Sequence, residues 1–285
     1  MKPGSQEDYQ QRIDRVLAHV QHAIESGAEP PDLETLAALS HFSPYHFHRI
    51  YRALTGETLG RSIGRLRLSR AVHLLGDPAR SVTEVAVDSG FGSSQALARV
   101  LRDWLGVTAG RLRDDARAHA SALDRLCQPP GTAVEAAVAL QVSVVCLEPF
   151  EVIAVRTVGQ YDTLDAVYTE LFGVAAQAGA IEHIKGLYGI AWQDLREVSR
   201  ESLAFTSAIG IEGLDPPAPM QRERWPGGRY ACLCHPGSFL GLEDTTDQLL
   251  AGWLPDSGEI LRDAPVLYRY LDDPEQVPEA LLRTE

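Results

Sequence analysis

The sequence predicts a multidomain protein in which an all-α domain precedes an α+β domain. In residues 9–126, apolar residues recur at helical spacing, and part of this pattern returns further along the same segment. From residue 142 onward the period changes, because segments rich in Val and Ile alternate with single helices. We therefore expect domains at 9–126 and 142–285, joined by a linker at 127–141 that contains a Pro-Pro-Gly sequence.

The all-α domain opens with a predicted helix at residues 9–26. Its apolar stripe ends at Gly27, and Pro30-Pro31 blocks continuation. Residues 33–56 then predict two short helices joined by a tight turn, with Ser43 as N-cap of the second and Pro44 at its first position. One side of this second helix carries hydrogen-bonding and cationic side chains, namely Tyr45, His46, His48, Arg49 and Arg52. Such a pair is typical of a helix-turn-helix unit that enters a major groove.

A second unit of the same kind follows. In its first helix and turn, Ala37, Ser40 and Phe42 correspond to Ala86, Ser89 and Phe91. The second turn contains one extra residue. After it, Ser43, Arg49, Arg52 and Gly56 correspond to Ser93, Arg99, Arg102 and Gly106. Between the units, residues 58–75 predict a helix that spans roughly 27 Å at ~1.5 Å per residue, close to the ~34 Å of one DNA turn. One chain can therefore place two units in successive grooves. A further helix is expected at 111–126.

The charge is distributed unevenly. The net charge is −13, yet residues 1–125 hold 16 Lys and Arg against 15 Asp and Glu, while residues 126–285 hold 10 against 24. From Arg49 to Arg70 six arginines face only Glu57. This pattern favours phosphate binding by the first domain, the alternative being a solvated helix face. An alternative function for the acidic second domain is that of a protein-interaction module, which contacts RNA polymerase or masks the helix-turn-helix units.

The second domain predicts strands and helices in two related modules. Strands are expected at 141–147, 151–158, 186–192, 203–211, 228–235 and 266–271, and helices at 163–178 and 242–254. An internal repeat at a constant offset matches Ala154, Gly159, Tyr161, Leu164 and Leu171 to Cys232, Gly237, Phe239, Leu242 and Leu249. Each copy reads strand, Gly-x-aromatic turn, helix, which predicts a pseudo-twofold sheet with a cleft between its halves.

The four cysteines, Cys127, Cys146, Cys232 and Cys234, form no disulfide-dense pattern, and we find no signal peptide or membrane span. We expect a cytoplasmic protein with reduced thiols, no cofactor and no membrane partner. The Cys-x-Cys-His sequence ending at His235 suggests a metal site, but in a strand the histidine points away from both cysteines and no second ligand pair is near. We expect no metal.

Residues 10–115 resemble the AraC/XylS class of bacterial transcription regulators, and are closest to its MarA and Rob branch. The resemblance is carried by Leu36-Ala37, Ser43, Phe47, Arg49, Tyr51-Arg52, Thr55-Gly56, Arg67, Ala71, Leu74-Leu75, Val82, Val85-Ala86, Gly90-Phe91, Leu97, Arg99, Leu101-Arg102, Gly106 and Thr108. Ala109, Leu112 and His41 depart from the family pattern. The resemblance implies binding to double-stranded promoter DNA, with contacts from Tyr45, His48, Arg49, Arg52, Ser94, Gln95, Arg99 and Arg102. For Arg52 and Arg102, phosphate contacts and salt bridges are equally open.

Residues 142–285 resemble the GyrI-like effector-binding domain, which binds hydrophobic, often aromatic and cationic, small molecules in a central cleft. The residues concerned are Val158 to Tyr161, Gly189, Trp192, Asp194, Gly227 to Ala231, His235 to Phe239, Trp253 to Gly258, Pro265, Tyr270, Pro274 and Leu282 to Glu285. We expect the cleft to be lined by Tyr161, Tyr168, Trp192, Phe205, Trp225 and Tyr268.

Two departures from that family pattern bear on function. Tyr268 stands where the family places a glutamate, and a tyrosine keeps the hydrogen bond but not the charge, which favours a neutral or weakly polar, aromatic or apolar effector. The family continues into a last short strand, which we expect to be absent here or to lie beyond Glu285. We expect no enzymatic activity, since the family acid is missing and His183 and His235 have no evident partner. Hydrolysis and drug sequestration are the alternatives.

The sequence thus predicts a ligand-responsive DNA-binding regulator with a double helix-turn-helix domain and a GyrI-like domain of two pseudo-twofold-related βα modules.

Overall fold

The computed structural model describes residues 6–127, 140–159, 163–194, 196 and 198–285. Its contacts divide the chain into two units, Met1–Glu135 with Leu254–Ile260 and Ala136–Trp253 with Leu261–Glu285. Most of the predicted linker, and Tyr161, lie outside the described residues. None of the helices among those residues is both long and apolar enough to cross a bilayer.

The first unit is helical, as predicted. Side-chain caps explain where its helices begin: Asp32, Ser43, Thr58, Ser81, Ser93 and Thr108 each accept a backbone N–H of the following first turn. The helices are α1 (Gln6–Ser26), α2 (Leu33–Ser40), α3 (Pro44–Thr55), α4 (Leu59–Leu75), α5 (Val82–Asp88), α6 (Ser94–Leu105), α7 (Ala109–Asp114) and α8 (Ala116–Cys127).

The two predicted helix-turn-helix units are α2–α3 and α5–α6, with α4 between them. Leu68 and Leu75 of α4 pack with Leu97 and Leu101 of α6 in one buried cluster. The single helix expected at 111–126 is wrong, because α7 and α8 are separate. Asp115 has extended backbone angles between them, and its carboxylate accepts the N–H groups of residues 117 and 118, which starts α8.

The second unit is α+β, also as predicted. Its strands are β1 (Ser143–Leu147), β2 (Phe150–Val158), β3 (Gly186–Ala191), β4 (Ala204–Gly210), β5 (Gln221–Trp225), β6 (Gly228–Cys232), β7 (His235–Pro236), β8 (Tyr268–Tyr270) and β9 (Arg283–Thr284). The further helices of the chain are α9 (Leu164–Gln177), α10 (Leu242–Asp247) and α11 (Leu254–Ser257), the last two joined by a π-helical segment at Gln248–Trp253.

Four sequence predictions in this half need correction. The helix at 242–254 is interrupted by the π-helical segment just before Pro255, which cannot donate a backbone hydrogen bond. The strand at 228–235 is split, because β6 pairs with β1 whereas β7 pairs with β9. Strand β5 was not predicted. Neither was the short strand β9, which lies within the segment 282–285.

Strand order explains the internal repeat. Among the described residues, seven strands form one antiparallel sheet in the order β5-β2-β4-β3-β8-β9-β7, and β1 and β6 form a separate pair. The order β2-β4-β3 is mirrored by β7-β9-β8 across the central β3–β8 pair, which is the expected pseudo-twofold arrangement. The offset that relates Ala154 to Cys232 also relates β1 of the first module to β5 of the second. Each of these strands pairs with the other module: β5 pairs with β2 of the first module, and β1 pairs with β6 of the second.

Register assigns each side chain of the large sheet to one of two faces, since directly paired residues point the same way. Ile153 pairs with Ile209, and both pack with Leu171 of α9, so their face is the helix-covered face. Ala154 pairs with Ala208 on the opposite face. These two faces decide which of the predicted cleft residues can meet.

Candidate functional site

Helix α6 presents the cationic face predicted for the second helix-turn-helix unit. Gln95, Arg99 and Arg102 are exposed at helical spacing, while Leu97 and Leu101 are fully buried behind them. Ser94, the fourth residue predicted here, is half-buried. The arrangement brings three of the four predicted contacts onto one solvent-facing side.

Helix α3 presents a different surface. Arg49 is only 3% exposed, which does not favour direct contact with DNA, whereas Arg52 and His48 are half-buried. The side chain of Tyr45 lies outside the described residues. Nothing in the sequence distinguished Arg49 from Arg99, its counterpart in the repeat, because their different burial depends on which helices cover them.

A buried polar network lies behind α3. The Tyr51 hydroxyl donates to Ser62 Oγ at 2.6 Å, and Ser62 donates to Glu57 Oε1 at 2.7 Å. Arg65 donates to the same carboxylate oxygen through Nε at 3.0 Å and Nη2 at 2.7 Å. Burial raises the pKa of Tyr51 to about 12, partly offset by its bond to Ser62. The network fixes α3 to the start of α4.

In the second unit, three of the predicted cleft residues share the helix-covered face. Phe205 of β4 and Tyr268 of β8 lie next to β3, and Tyr168 of α9 donates to Tyr188 O at 2.6 Å. Burial raises the pKa of Tyr168, although the nearby Ser207 and Tyr270 hydroxyls oppose the effect. Gly189 makes room for this cluster, since a Cβ there would lie 2.6 Å from both Phe205 Cζ and the Tyr270 hydroxyl.

Sequence reasoning missed two rings of the same cluster. Tyr270 lies 5.9 Å from Tyr168 and 5.3 Å from Phe239 between ring centroids, both edge-on. Two signals could have found them: Tyr270 is on the same strand face as Tyr268, and Phe239 is the repeat counterpart of Tyr161. These contacts connect Tyr168 of α9 through Tyr270 to Phe239, which lies shortly before α10.

A buried carboxylate was missed as well. The Tyr268 hydroxyl donates to Glu243 Oε1 of α10 at 3.4 Å, and the Glu243 side chain is 5% exposed. Arg196 lies 3.9 Å from Glu243 and also binds Asp194 at 2.7 Å and Asp247 at 2.8 Å. Burial would lower the pKa of Arg196, but its bonds to these aspartates hold it above the ordinary value. The carboxylate thought to be absent from the cleft is therefore supplied by another element.

Trp192 and Trp225 do not join this cluster. Trp225 pairs with Phe150 and packs with Tyr188 on the opposite face of the sheet. Trp192 is also in that group; its Nε1 donates to Thr206 Oγ1 at 2.8 Å, and Arg156 stacks 4.3 Å above its ring. The expectation that they line one cleft with Tyr268 is wrong, because β-strand register places them on the other side.

The Cys-x-Cys-His sequence is not arranged as a metal site. His235 Nδ1 lies 2.7 Å from Thr245 Oγ1, and its Nε2 lies 2.8 Å from Ser238 O, so both ring nitrogens have protein partners. Within the described residues no group of three or more His, Cys, Asp or Glu side chains is arranged to hold a metal. His235 thus has partners that the sequence did not reveal, and one of them, Thr245, links β7 to α10.

Two family models match the chain. One for a GyrI-like small-molecule-binding domain covers residues 140–285, and one for a helix-turn-helix domain covers residues 36–115. These matches confirm the fold class predicted for each domain.

Individual relatives are similar to parts of the chain. It is 32% identical over 103 residues to the probable transcriptional regulator YgiV of Escherichia coli K12, covering 34% of this chain and 62% of YgiV. It is 30% identical over 94 residues to the regulatory protein SoxS of Salmonella typhimurium, covering 33% of this chain and 85% of SoxS. A crystal structure of the DNA-binding domain of AdpA with a target DNA is 34% identical, with a TM-score of 0.33, and covers 37% of this chain and 93% of that one. The chain therefore spans less than two thirds of the first of these relatives.

Proposed function

Because the chain belongs to the GyrI-like small-molecule-binding family and carries an AraC-type helix-turn-helix domain, we propose that it is a sequence-specific transcription regulator controlled by a small effector. The observation that carries the DNA-binding part is the exposed row of Gln95, Arg99 and Arg102 on α6, in a domain with a second, related unit. Arginine and glutamine at this spacing can hydrogen-bond base edges and phosphates in a major groove.

DNA selection from a random pool, with the full chain at near-physiological salt, tests this proposal. We expect a two-part motif with half-sites about one helical turn apart. Arg99→Ala should weaken binding through one half-site by roughly 10- to 100-fold, the value of a good base contact. Arg117→Ala is the matched control, because it removes an exposed arginine from α8 rather than from α6. Failure of folded wild-type protein to enrich any motif would exclude the proposed function.

For the effector site we propose the helix-covered face, with Tyr168, Phe205, Tyr268 and Tyr270 as contacts. The effector would be largely apolar and neutral or weakly polar. Glu243 does not require a cationic ligand, because it already accepts a bond from Tyr268 and lies near the Arg196 guanidinium. Contact between the acidic second domain and RNA polymerase is the alternative to this effector site, and we propose that the chain has no catalytic activity.

Two matched probes test the charge and place of this site. Calorimetry with benzyl alcohol and with benzyltrimethylammonium should show tighter binding of the neutral probe. Tyr268→Phe should weaken that binding several-fold, since it removes one hydrogen bond. Trp225→Phe, on the opposite face, should leave it unchanged. Preference for the cation, or sensitivity to Trp225→Phe alone, would contradict the proposed site.

A further inference from the structure

The last turn of α8 is bonded directly to the end of α6. Arg125 donates through Nη1 to Leu105 O at 3.1 Å and through Nη2 to Trp104 O at 2.9 Å. Leu105 is the final residue of α6, and the last carbonyl groups of a helix have no partner within the helix. A cation at this end also meets the negative pole of the helix dipole. Arg125 therefore acts as a C-terminal cap that α8 supplies to α6.

The next residue of α8 reaches the other helix-turn-helix unit. Leu126 O accepts a bond from Arg65 Nη1 at 2.8 Å. The remaining donors of Arg65 bind Glu57, and through Ser62 this network ends at the Tyr51 hydroxyl of α3. Two consecutive residues of one helical turn are thus linked to both helices that carry the predicted DNA contacts.

We propose that the last turn of α8, Arg125–Cys127, is a coupling turn that positions α3 and α6 together. The inference rests on the proposed function. The coupling turn holds both the cap of α6 and the carbonyl that binds Arg65. Unwinding it would displace Arg125 and Leu126 O at once. Terminal helical turns open at low free-energy cost, so a single substitution is enough to alter both helix-turn-helix units.

The first test removes the cap of α6. In the full chain, Arg125→Gln should weaken binding to the selected DNA site by about tenfold, and the loss should disappear when the half-site read by α6 is scrambled. Arg117→Gln is the matched control, since it removes the same charge from an exposed position of the same helix. It should cost no more than about twofold through the general electrostatic term.

The second test unwinds the coupling turn without touching Arg125. Asp124→Gly introduces glycine at the exposed position directly before the coupling turn, and Ala120→Gly, one turn earlier, is its control. Arg125→Gln and Asp124→Gly should each speed amide hydrogen exchange in the last turn of α6, and the controls should not. Equal exchange and equal DNA affinity in variants and controls would overturn the inference. If the wild-type chain selects no DNA, the proposed function is wrong. Hydrogen exchange in the last turn of α6 still tests whether Arg125 caps that helix.

Discussion

The two helix-turn-helix units share a framework but differ in what supports it. Gly56 and Gly106 end their second helices with left-handed backbone, and Thr58 and Thr108, related by the same repeat, cap the helices that follow. Beneath this framework the polar residues of the first unit are replaced by apolar residues in the second. The corresponding pairs are Tyr51 and Leu101, Glu57 and Val107, and Ser62 and Leu112.

This difference shows that one helix pair can be oriented by two kinds of interior. Packing of Leu101 and Leu112 is favourable but non-directional, whereas a buried hydrogen-bonded network has one satisfied geometry. The first unit therefore gains a defined orientation at the cost of burying Glu57 and Arg65. Because this network contains buried ionisable side chains, the stability of the first unit should depend on pH and on polar substitutions at positions where the second unit has apolar residues.

The largest effect is expected at Glu57. Glu57→Ala leaves Arg65 as a largely buried cation and removes the acceptor of Ser62, so we expect the free energy of unfolding to fall by about 3–5 kcal/mol. The counterpart Val107→Ala removes only partly buried apolar surface and should cost roughly 1.5 kcal/mol or less. Urea denaturation of both variants measures the difference.

The double variant Glu57→Gln/Arg65→Gln separates charge from packing. It removes both charges together, so it should be more stable than Glu57→Ala alone. If Glu57→Ala and Val107→Ala lower the free energy of unfolding equally, the polar and apolar interiors stabilise their units to the same extent, although their residues differ.

The next effect concerns the two arginines related by the repeat. Arg49→Ala removes a buried guanidinium together with the interaction that it makes, which should lower the free energy of unfolding by about 1–3 kcal/mol. Arg99→Ala, at an exposed position, should change it by less than about 0.5 kcal/mol. Thermal and urea unfolding, measured beside DNA affinity, distinguish the two roles. An Arg49→Ala protein of wild-type stability with weakened DNA binding would show that Arg49 contacts DNA after all.

The network also predicts a loss of stability at alkaline pH. Tyr51 has a folded-state pKa of about 12 against an ordinary value of 10.0. Below pH 10 the Tyr51 hydroxyl is protonated in both the folded and the unfolded chain, and its contribution to the free energy of unfolding is fully present. Between pH 10 and 12 the unfolded chain loses this proton while the folded chain keeps it, so stability falls, by roughly 2–3 kcal/mol in total.

Tyr51→Phe is the control for this titration. It should flatten the fall in unfolding free energy between pH 10 and 12, although it lowers stability at neutral pH by removing the bond to Ser62. The measurement is a series of urea midpoints across that pH range. An identical alkaline slope in wild type and variant would show that other groups cause the loss.

Much of this architecture could be predicted because it is encoded locally. Ser43 followed by Pro44 starts α3 by capping alone, and the sequence repeat locates the second unit without knowledge of contacts. Strand β5 escaped prediction because its sequence, Gln-Arg-Glu-Arg-Trp, is that of an exposed edge without apolar alternation. The offset of the second internal repeat, applied to β1, would have located it.

The effector site was only partly predictable, because it depends on pairing between distant strands. Trp225 and Tyr268 are both aromatic strand residues, yet register places them on opposite faces, and a shift of one residue would reverse either. Glu243 is far from Tyr268 in sequence and meets it only through the packing of α10. The resemblance to the family indicated that a carboxylate was missing from β8, but not that a residue of α10 lies in its place.

The smallest effects concern the two turns. His41, which follows α2, has left-handed backbone with φ of 56°, where Gly90 of the second unit has φ of 77°. His41→Gly should raise the free energy of unfolding by about 0.5 kcal/mol, because relief of left-handed strain slightly exceeds the added entropy of the unfolded chain.

Gly90→Ala should have the opposite sign. It adds left-handed strain, and its Cβ would lie 2.8 Å from Arg67 Nε, so we expect a loss of about 1–2 kcal/mol. The Arg67 side chain can shift, which breaks its 2.6 Å salt bridge to Glu29, a pair too exposed to add much to the cost. Urea denaturation of both variants measures the two changes. Destabilisation by His41→Gly would mean that contacts of the imidazole stabilise the first turn by more than its left-handed backbone costs. The two turns, like the two interiors, would then be stabilised by different interactions.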